Sequence, residues 1–277
     1  MNTDNLIKVT KIYKLSTQSS AGLCLNYDTN FKSSFQYSFP VTNLREEDIE
    51  YVYISVPYVS LPVSFYNIDY YNNRLDMIID GVGQSFEFEK GNYNVNSFIN
   101  QFKKLLGDTW YIALDSINNC LTISSPSTFQ LLSTSTINYV MGFSSSIFCS
   151  ASTLGNYIIM PRTCNFLPLP RVHLRCKELS NSCLISKNCD ADILVSVPND
   201  SVPNGKIVYR NFMNTSTHLE LPYLQTLTIN FTDEQNNLIN FNGISSYFEI
   251  QLDIYKKRPE KPPTFRKVIQ ELSRILE

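Results

Sequence analysis

Apolar and polar residues alternate along two limbs of one C-terminal stretch. Leu227, Ile229 and Phe231 alternate with Thr228, Asn230 and Thr232; beyond the turn at Asn236-Asn237 and the patch Leu238-Ile239-Asn240-Phe241, residues Phe248, Ile250, Leu252 and Ile254 alternate with Glu249, Gln251 and Asp253. A period of two predicts two strands, each with one buried face. A strand with one apolar face must lay it against another sheet, so this ribbon needs a partner surface from the chain before it.

Shorter alternations supply that surface. Residues 7–14 and 34–39 predict the first two strands, the second ending at Pro40. Tyr51 to Val56 alternates after Glu46-Glu47-Asp48, which reads as a solvated acidic loop, and Val59, Leu61, Val63 and Phe65 carry a second alternation beyond Pro57. Short strands resume at Tyr157 to Met160, Arg171 to Cys176, Ile193 to Val197 and Ile207 to Tyr209, with turn signals at Pro198-Asn199-Asp200 and Pro203-Asn204-Gly205. A parallel fold would need helices between these strands, and none is readable, so the pattern predicts an all-β sandwich of the single jelly-roll kind.

Between Tyr70 and about Ser150 the period changes. Val95, Phe98, Ile99, Phe102, Leu105 and Leu106 fall on one helical stripe, with Asn94 placed to cap it and Gly107 to stop it. Hairpins flank the helix, Leu75 to Ile79 with Phe86 to Phe88 around Gly81-Val82-Gly83, and Trp110 to Leu114 with Leu121 to Ser124 around Asn118-Asn119. The expected division is a jelly roll over 1–72 and 151–258, an inserted α+β domain of ββαββ type over 73–150, and a C-terminal segment over 259–277. That segment follows Lys256-Lys257-Arg258 with a proline-punctuated linker and then a short amphipathic helix capped by Thr264. Its stripe, Phe265, Val268, Ile269, Leu272, Ile275 and Leu276 with Arg266 alongside, is the expected tail anchor, docking either on its own domain or on a neighbour.

Composition narrows the function. Hydrophobic residues at 43% fill a substantial core, while a net charge of −2 gives no whole-chain argument for nucleic acid. Lys256 to Glu277 holds seven basic and three acidic residues, a local +4 that leaves the rest of the chain at −6. Such a tail suits phosphate on a genome or an acidic partner surface. No leader pattern and no apolar run of membrane-spanning length occurs, so an unsecreted chain without a membrane span is expected. The seven cysteines are scattered without a C-x-x-C pair and read as reduced, mostly buried thiols. No G-x-S-x-G, H-E-x-x-H or P-loop is present. His173 lies on a predicted strand far from His218, Asp80-Gly81-Val82-Gly83 reads as a turn, and Cys183 and Cys189 would need a distant third ligand to hold a metal. The expectation is no enzyme, no cofactor and no metal. Tyr66-Asn67-Ile68-Asp69-Tyr70-Tyr71 has the make-up of a recognition loop, read here as subunit contact or strand packing.

Three stretches together resemble the penton, or minor capsid, proteins of virophages and Polinton-type double-stranded DNA viruses. They are Tyr51 to Asn73, with Pro-Val-Ser-Phe-Tyr-Asn-Ile before an Asn-Asn pair; Phe86 to Tyr93, leading through the helix to Val140-Met141-Gly142-Phe143; and the turn from Thr232 to Gly243. Lys90 and Met141 stand where that family's pattern has proline and leucine. The resemblance implies an upright jelly roll at each icosahedral vertex of the virion, a homopentamer with the insertion projecting outward, assembled inside the host cell against neighbouring major capsid protein. The rival reading is an attachment module whose insertion contacts a host receptor or glycan.

Overall fold

The computed structural model describes residues 6–18, 24–27, 33–44, 46–153, 155–167, 169–179, 192–219, 221 and 223–258. One five-stranded sheet sets β1 (Leu6–Ser16), β18 (Tyr247–Lys257), β4 (Ile49–Pro62) and β15 (Lys206–Arg210) side by side, with β16 (Thr217–His218) also on β4. The other sets β14 (Ile193–Pro198), β13 (Arg171–Cys176), β17 (Tyr223–Thr232), β3 (Ser34–Asn43) and β2 (Cys24–Tyr27) in that order. Every pairing is antiparallel, and the pairs nest: β1 with β18, β3 with β17, β4 with β15, β13 with β14. This is a jelly-roll-like arrangement, a long hairpin of pairs wrapped into two layers.

The two C-terminal strands do not form a ribbon with each other. β17 and β18 lie in opposite sheets, and their apolar faces meet across the core, with Phe231 and Phe248 ring centroids 5.6 Å apart. Each is the partner surface the other needs, because the turn between them crosses from one layer to the next. Leu238–Phe241 makes no strand; a single bridge joins Leu238 to Thr232.

Two prolines mark irregularities and not strand ends. β4 runs unbroken through Pro57, and the register against β18 shifts there, Ser55 facing Gln251 and Tyr58 facing Glu249. The extra residue moves the alternation by one, so Val52, Ile54 and Val56 before it and Val59 and Leu61 after it all stay buried. β3 likewise passes Pro40, expected as its end, opposite a register shift in β17 between Leu224 and Thr226. A bulge is where a strand tolerates a residue without an N–H.

A second core is built by two four-stranded sheets and a helix. β5 (Arg74–Ile79) and β6 (Val82–Glu87) join β9 (Phe129–Leu131) and β10 (Ile147–Phe148), while β7 (Tyr111–Leu114) and β8 (Leu121–Ser125) join β12 (Gly155–Ile159) and β11 (Ser150–Ser152). Alternation at Tyr157 to Met160 marks a strand but not its sheet: it pairs Ile158 with Ile123 of β8, and so belongs to this lobe and not to the sandwich. The β5–β6 turn is Asp80-Gly81 alone, both at positive φ, as the twist of a two-residue hairpin demands, and Val82-Gly83 belongs to the strand.

Helix α1 (Val95–Leu106) has the predicted bounds. The Asn94 side chain accepts from the Ser97 N–H, the Ser97 hydroxyl accepts from the Asn94 N–H, and Gly107 ends the helix at φ 93°. Its buried Phe98 stacks on Phe88 at 4.8 Å and touches Phe166 at 5.0 Å. Trp110, the only tryptophan, lies in the same cluster against Phe129. Phe98→Ala is therefore expected to lower the stability of this lobe by about 3–5 kcal/mol, measured as a drop in the urea midpoint of Trp110 fluorescence.

Candidate functional site

Where the second lobe meets the sandwich, one side chain holds three backbone segments. Asn67 follows β4, and its Nδ2 donates to the Tyr93 carbonyl at 2.8 Å and to the Phe166 carbonyl at 2.8 Å. Its Oδ1 accepts from the Tyr93 N–H at 2.8 Å. The adjacent Ile68 exchanges backbone hydrogen bonds with Gly91, and Asn72 Nδ2 donates to the Asn67 carbonyl. The segment leading into the lobe, the segment preceding α1 and the segment leading out are thus fixed by one amide, whose two donors and one acceptor all have partners.

Beside this junction lies a cleft of about 500 Å³. One wall is the loop from Tyr66 to Asn72, another the turn from Asp233 to Asn240, and a third comes from α2 (Asn138–Met141) and the outgoing segment, through Tyr139, Asn165 and Leu167. Both loops are internally braced. Asp233 accepts from the N–H groups of Gln235 and Asn237 and from the Asn237 amide, and Asn236 takes a left-handed conformation at φ 66°. Asp69 accepts from the Tyr70 N–H, while its own N–H donates to Asn72 Oδ1. Burial pushes the Asp69 carboxyl above the usual carboxylate range, against the opposing pull of the Tyr70 N–H, Lys90 and Asn240. The described lining residues include no Lys, Arg or His.

The Tyr66 to Tyr71 loop singled out by its composition is thus a wall of this cleft. Tyr139 and Leu167 were not readable: α2 is one turn, too short for a helical stripe, and Leu167 is an isolated apolar residue, 76% exposed. The tail residues Phe265, Arg266, Val268, Ile269, Leu272, Ile275 and Leu276, and Cys183 and Cys189, lie outside the described residues. His173 sits on β13 and His218 on β16, where the His218 ring packs on Tyr53 at 5.5 Å. The acidic loop is exposed but not idle, because Lys256 Nζ reaches Glu46 and Asp48, each at 3.0 Å. Cys120, Cys149, Cys164 and Cys176 are free thiols, and burial pushes those of Cys164 and Cys176 upward. Among the described residues no group of three His, Cys, Asp or Glu is placed to hold a metal, and no helix is long and apolar enough to cross a membrane.

The outward face of the β1–β18–β4 sheet carries Tyr51, Tyr53, Tyr58, Tyr247 and Tyr255, with Tyr53 and Tyr255 in edge contact at 5.8 Å. Asp253 is largely buried among them, accepting from Thr10 Oγ1 at 2.7 Å, from Lys8 Nζ at 2.9 Å and from the Gln251 amide. Burial raises its pKa, but these hydrogen bonds together prevail and hold the carboxyl below its ordinary value.

These features define a mostly β protein of apposed antiparallel sheets with a mixed lobe packed at one end. No family model and no curated protein matches the chain. Among solved structures, it is similar to the crystal structure of SeMet-labelled mavirus penton protein, with a TM-score of 0.42 and 9% identity over 90% of this chain and 99% of that chain.

Asn67→Asp removes both donors and sets a carboxylate against two carbonyls. It is expected to cost about 1–3 kcal/mol and to separate the unfolding transitions seen by Trp110 fluorescence and far-UV circular dichroism. Asp253 has a lowered folded pKa, so its stabilisation is present above the ordinary aspartate value of about 3.9 and lost as pH falls through the lower folded value. Asp253→Asn is accordingly expected to lower stability by about 1–3 kcal/mol at pH 7, with the gap to wild type closing in urea titrations below about pH 4.

Proposed function

We propose that the chain is a structural subunit of an icosahedral viral capsid, a penton protein standing five to a ring at each vertex. In this reading residues of the two five-stranded sheets form a single upright jelly roll, and the lobe between β4 and β13 is an inserted domain facing outward. The observation that carries the reading is spatial. The three stretches by which the sequence resembles the penton family are far apart in the chain, yet all three line one cleft: Tyr66 to Asn72 from the first, Val140 from the second, Asp233 to Asn240 from the third. A chance likeness of three short motifs has no reason to converge, whereas a shared architecture does.

The edge of the sandwich offers a surface suited to a neighbouring copy. β1 is an edge strand whose residues from Ile7 to Ile12 are all exposed, with Ile7, Val9 and Ile12 apolar. A closed ring joins two different flanks of each subunit, so this edge needs a complementary surface and not a copy of itself. Residues 259–277 then fasten the ring to neighbouring major capsid protein or to the capsid interior, with the basic run meeting phosphate or acidic surface.

Native mass spectrometry and negative-stain microscopy of the full chain are expected to give five-membered rings. Val9→Lys with Ile12→Glu is expected to yield single subunits whose melting temperature is unchanged. A wild-type chain that stays a single subunit at high concentration overturns the reading. Removing residues 259–277 is expected to leave rings intact but to deplete vertices in purified particles, and full vertex occupancy would exclude the tail's anchoring role.

A further inference from the structure

We infer that the cleft between the Tyr66 to Asn72 loop and the Asp233 to Asn240 turn is a binding site for a neutral glycan. Its size, about 500 Å³, falls within the range of roughly 300–1,000 Å³ that small-ligand sites occupy. Its chemistry then selects the ligand by elimination. Three carboxylates, Asp69, Asp233 and Glu234, and no basic residue among the described lining disfavour an anionic ligand. A metal cation finds few carboxylate oxygens free to ligate it, because both oxygens of Asp233 are engaged by Gln235 and Asn237 and the Asp69 carboxylate accepts from the Tyr70 N–H, which leaves Glu234 as the remaining acidic lining residue. A wholly apolar ligand would bury amides and hydroxyls without partners.

What the cleft offers is aromatic rings beside neutral hydrogen-bonding groups. Tyr66, Tyr71 and Tyr139 line it and are exposed, and Asn165 and Gln235 add amides. A sugar ring matches that pairing: one face of C–H groups lies flat on a tyrosine, and its hydroxyls bridge amides and phenols. Tyrosine supplies such contact area at low entropy cost. The loops are already braced by the Asn67, Asn72 and Asp233 hydrogen bonds, so little ordering accompanies binding. The site spans the lobe and the sandwich and includes no residue of the β1 edge.

The test is binding of the full-length protein to immobilised neutral oligosaccharides, di- to tetrasaccharides of hexose and N-acetylhexosamine, beside sialylated and sulfated versions of the same cores. Neutral members are expected to bind, with the acidic versions at least tenfold weaker. Tyr71→Ala and Tyr139→Ala are each expected to lower affinity tenfold or more. Tyr111→Ala, which removes an exposed tyrosine of the same lobe away from the cleft, is expected to change nothing. Melting temperature and ring formation, followed in the same variants, are expected to stay at wild-type values, which separates loss of the site from loss of fold or assembly. The inference is overturned if no neutral oligosaccharide binds at millimolar concentration, if the acidic versions bind more tightly, or if binding survives both cleft substitutions.

Discussion

The side-chain amide of Asn67 is the constraint on which the relation of the two cores depends. It copies a β-bridge to Tyr93 by donating to its carbonyl and accepting from its N–H, and its second donor reaches Phe166 on the outgoing segment. No other side chain of that length offers two donors and an acceptor in one plane: aspartate lacks the donors, and glutamine would carry the amide a methylene too far. With the two ends of the lobe held side by side, about a hundred residues can stand between β4 and β13 without disturbing the sandwich. Loop closure costs grow only with the logarithm of length, so for the sandwich the separation of the two ends matters more than the length of chain between them.

The aromatic packing follows from that geometry. In the sandwich, Phe248, Phe231 and Phe241 contact in succession and lead to Phe65, which borders the cleft. In the lobe, Phe88, Phe98 and Phe166 form a second succession ending on the segment that Asn67 grips. Both runs of rings therefore end at the junction, so the cleft walls are backed by close-packed cores and not by loop alone. The Asp233 to Asn240 turn is tied in from the sandwich side, with the Ser64 hydroxyl donating to the Phe241 carbonyl at 2.6 Å and the Ile239 N–H to the Phe231 carbonyl.

Legibility in the sequence tracked the range of the interactions involved. Helix α1 was readable to the residue because its cap, stripe and stop are all local. The phase change at Pro57 was visible as two alternations, but only the facing strand shows that a bulge joins them into one. Alternation marked Tyr157 to Met160 as a strand and was silent on its partner, since period two reports a buried face and not which sheet supplies the cover. β9 and α2, at three and four residues, are shorter than the window any periodicity needs. For the cleft, tyrosine-rich composition pointed to Tyr66 to Tyr71, while the opposing wall lies some 170 residues further on and carries ordinary turn chemistry.

The composition of β1 bears on what covers it. An open apolar edge would template pairing with any extended chain, and proteins guard such edges with charge. Here Lys8, Lys11 and Lys14 recur every third residue, so lysines fall on both faces of a strand whose side chains alternate, among Ile7, Val9 and Ile12. Lys8 is partly committed to Asp253, but the three remain exposed along one edge. A strand that added by backbone pairing alone would crowd Lys11 and Lys14 without bringing them a counter-charge, which disfavours it. A surface bringing both apolar area and carboxylates is the kind that complements this edge. The chain before Lys256 has a net charge of −6, so another copy meets the electrostatic half of that requirement. An edge guarded in this way favours a specific complementary surface over open-ended strand pairing.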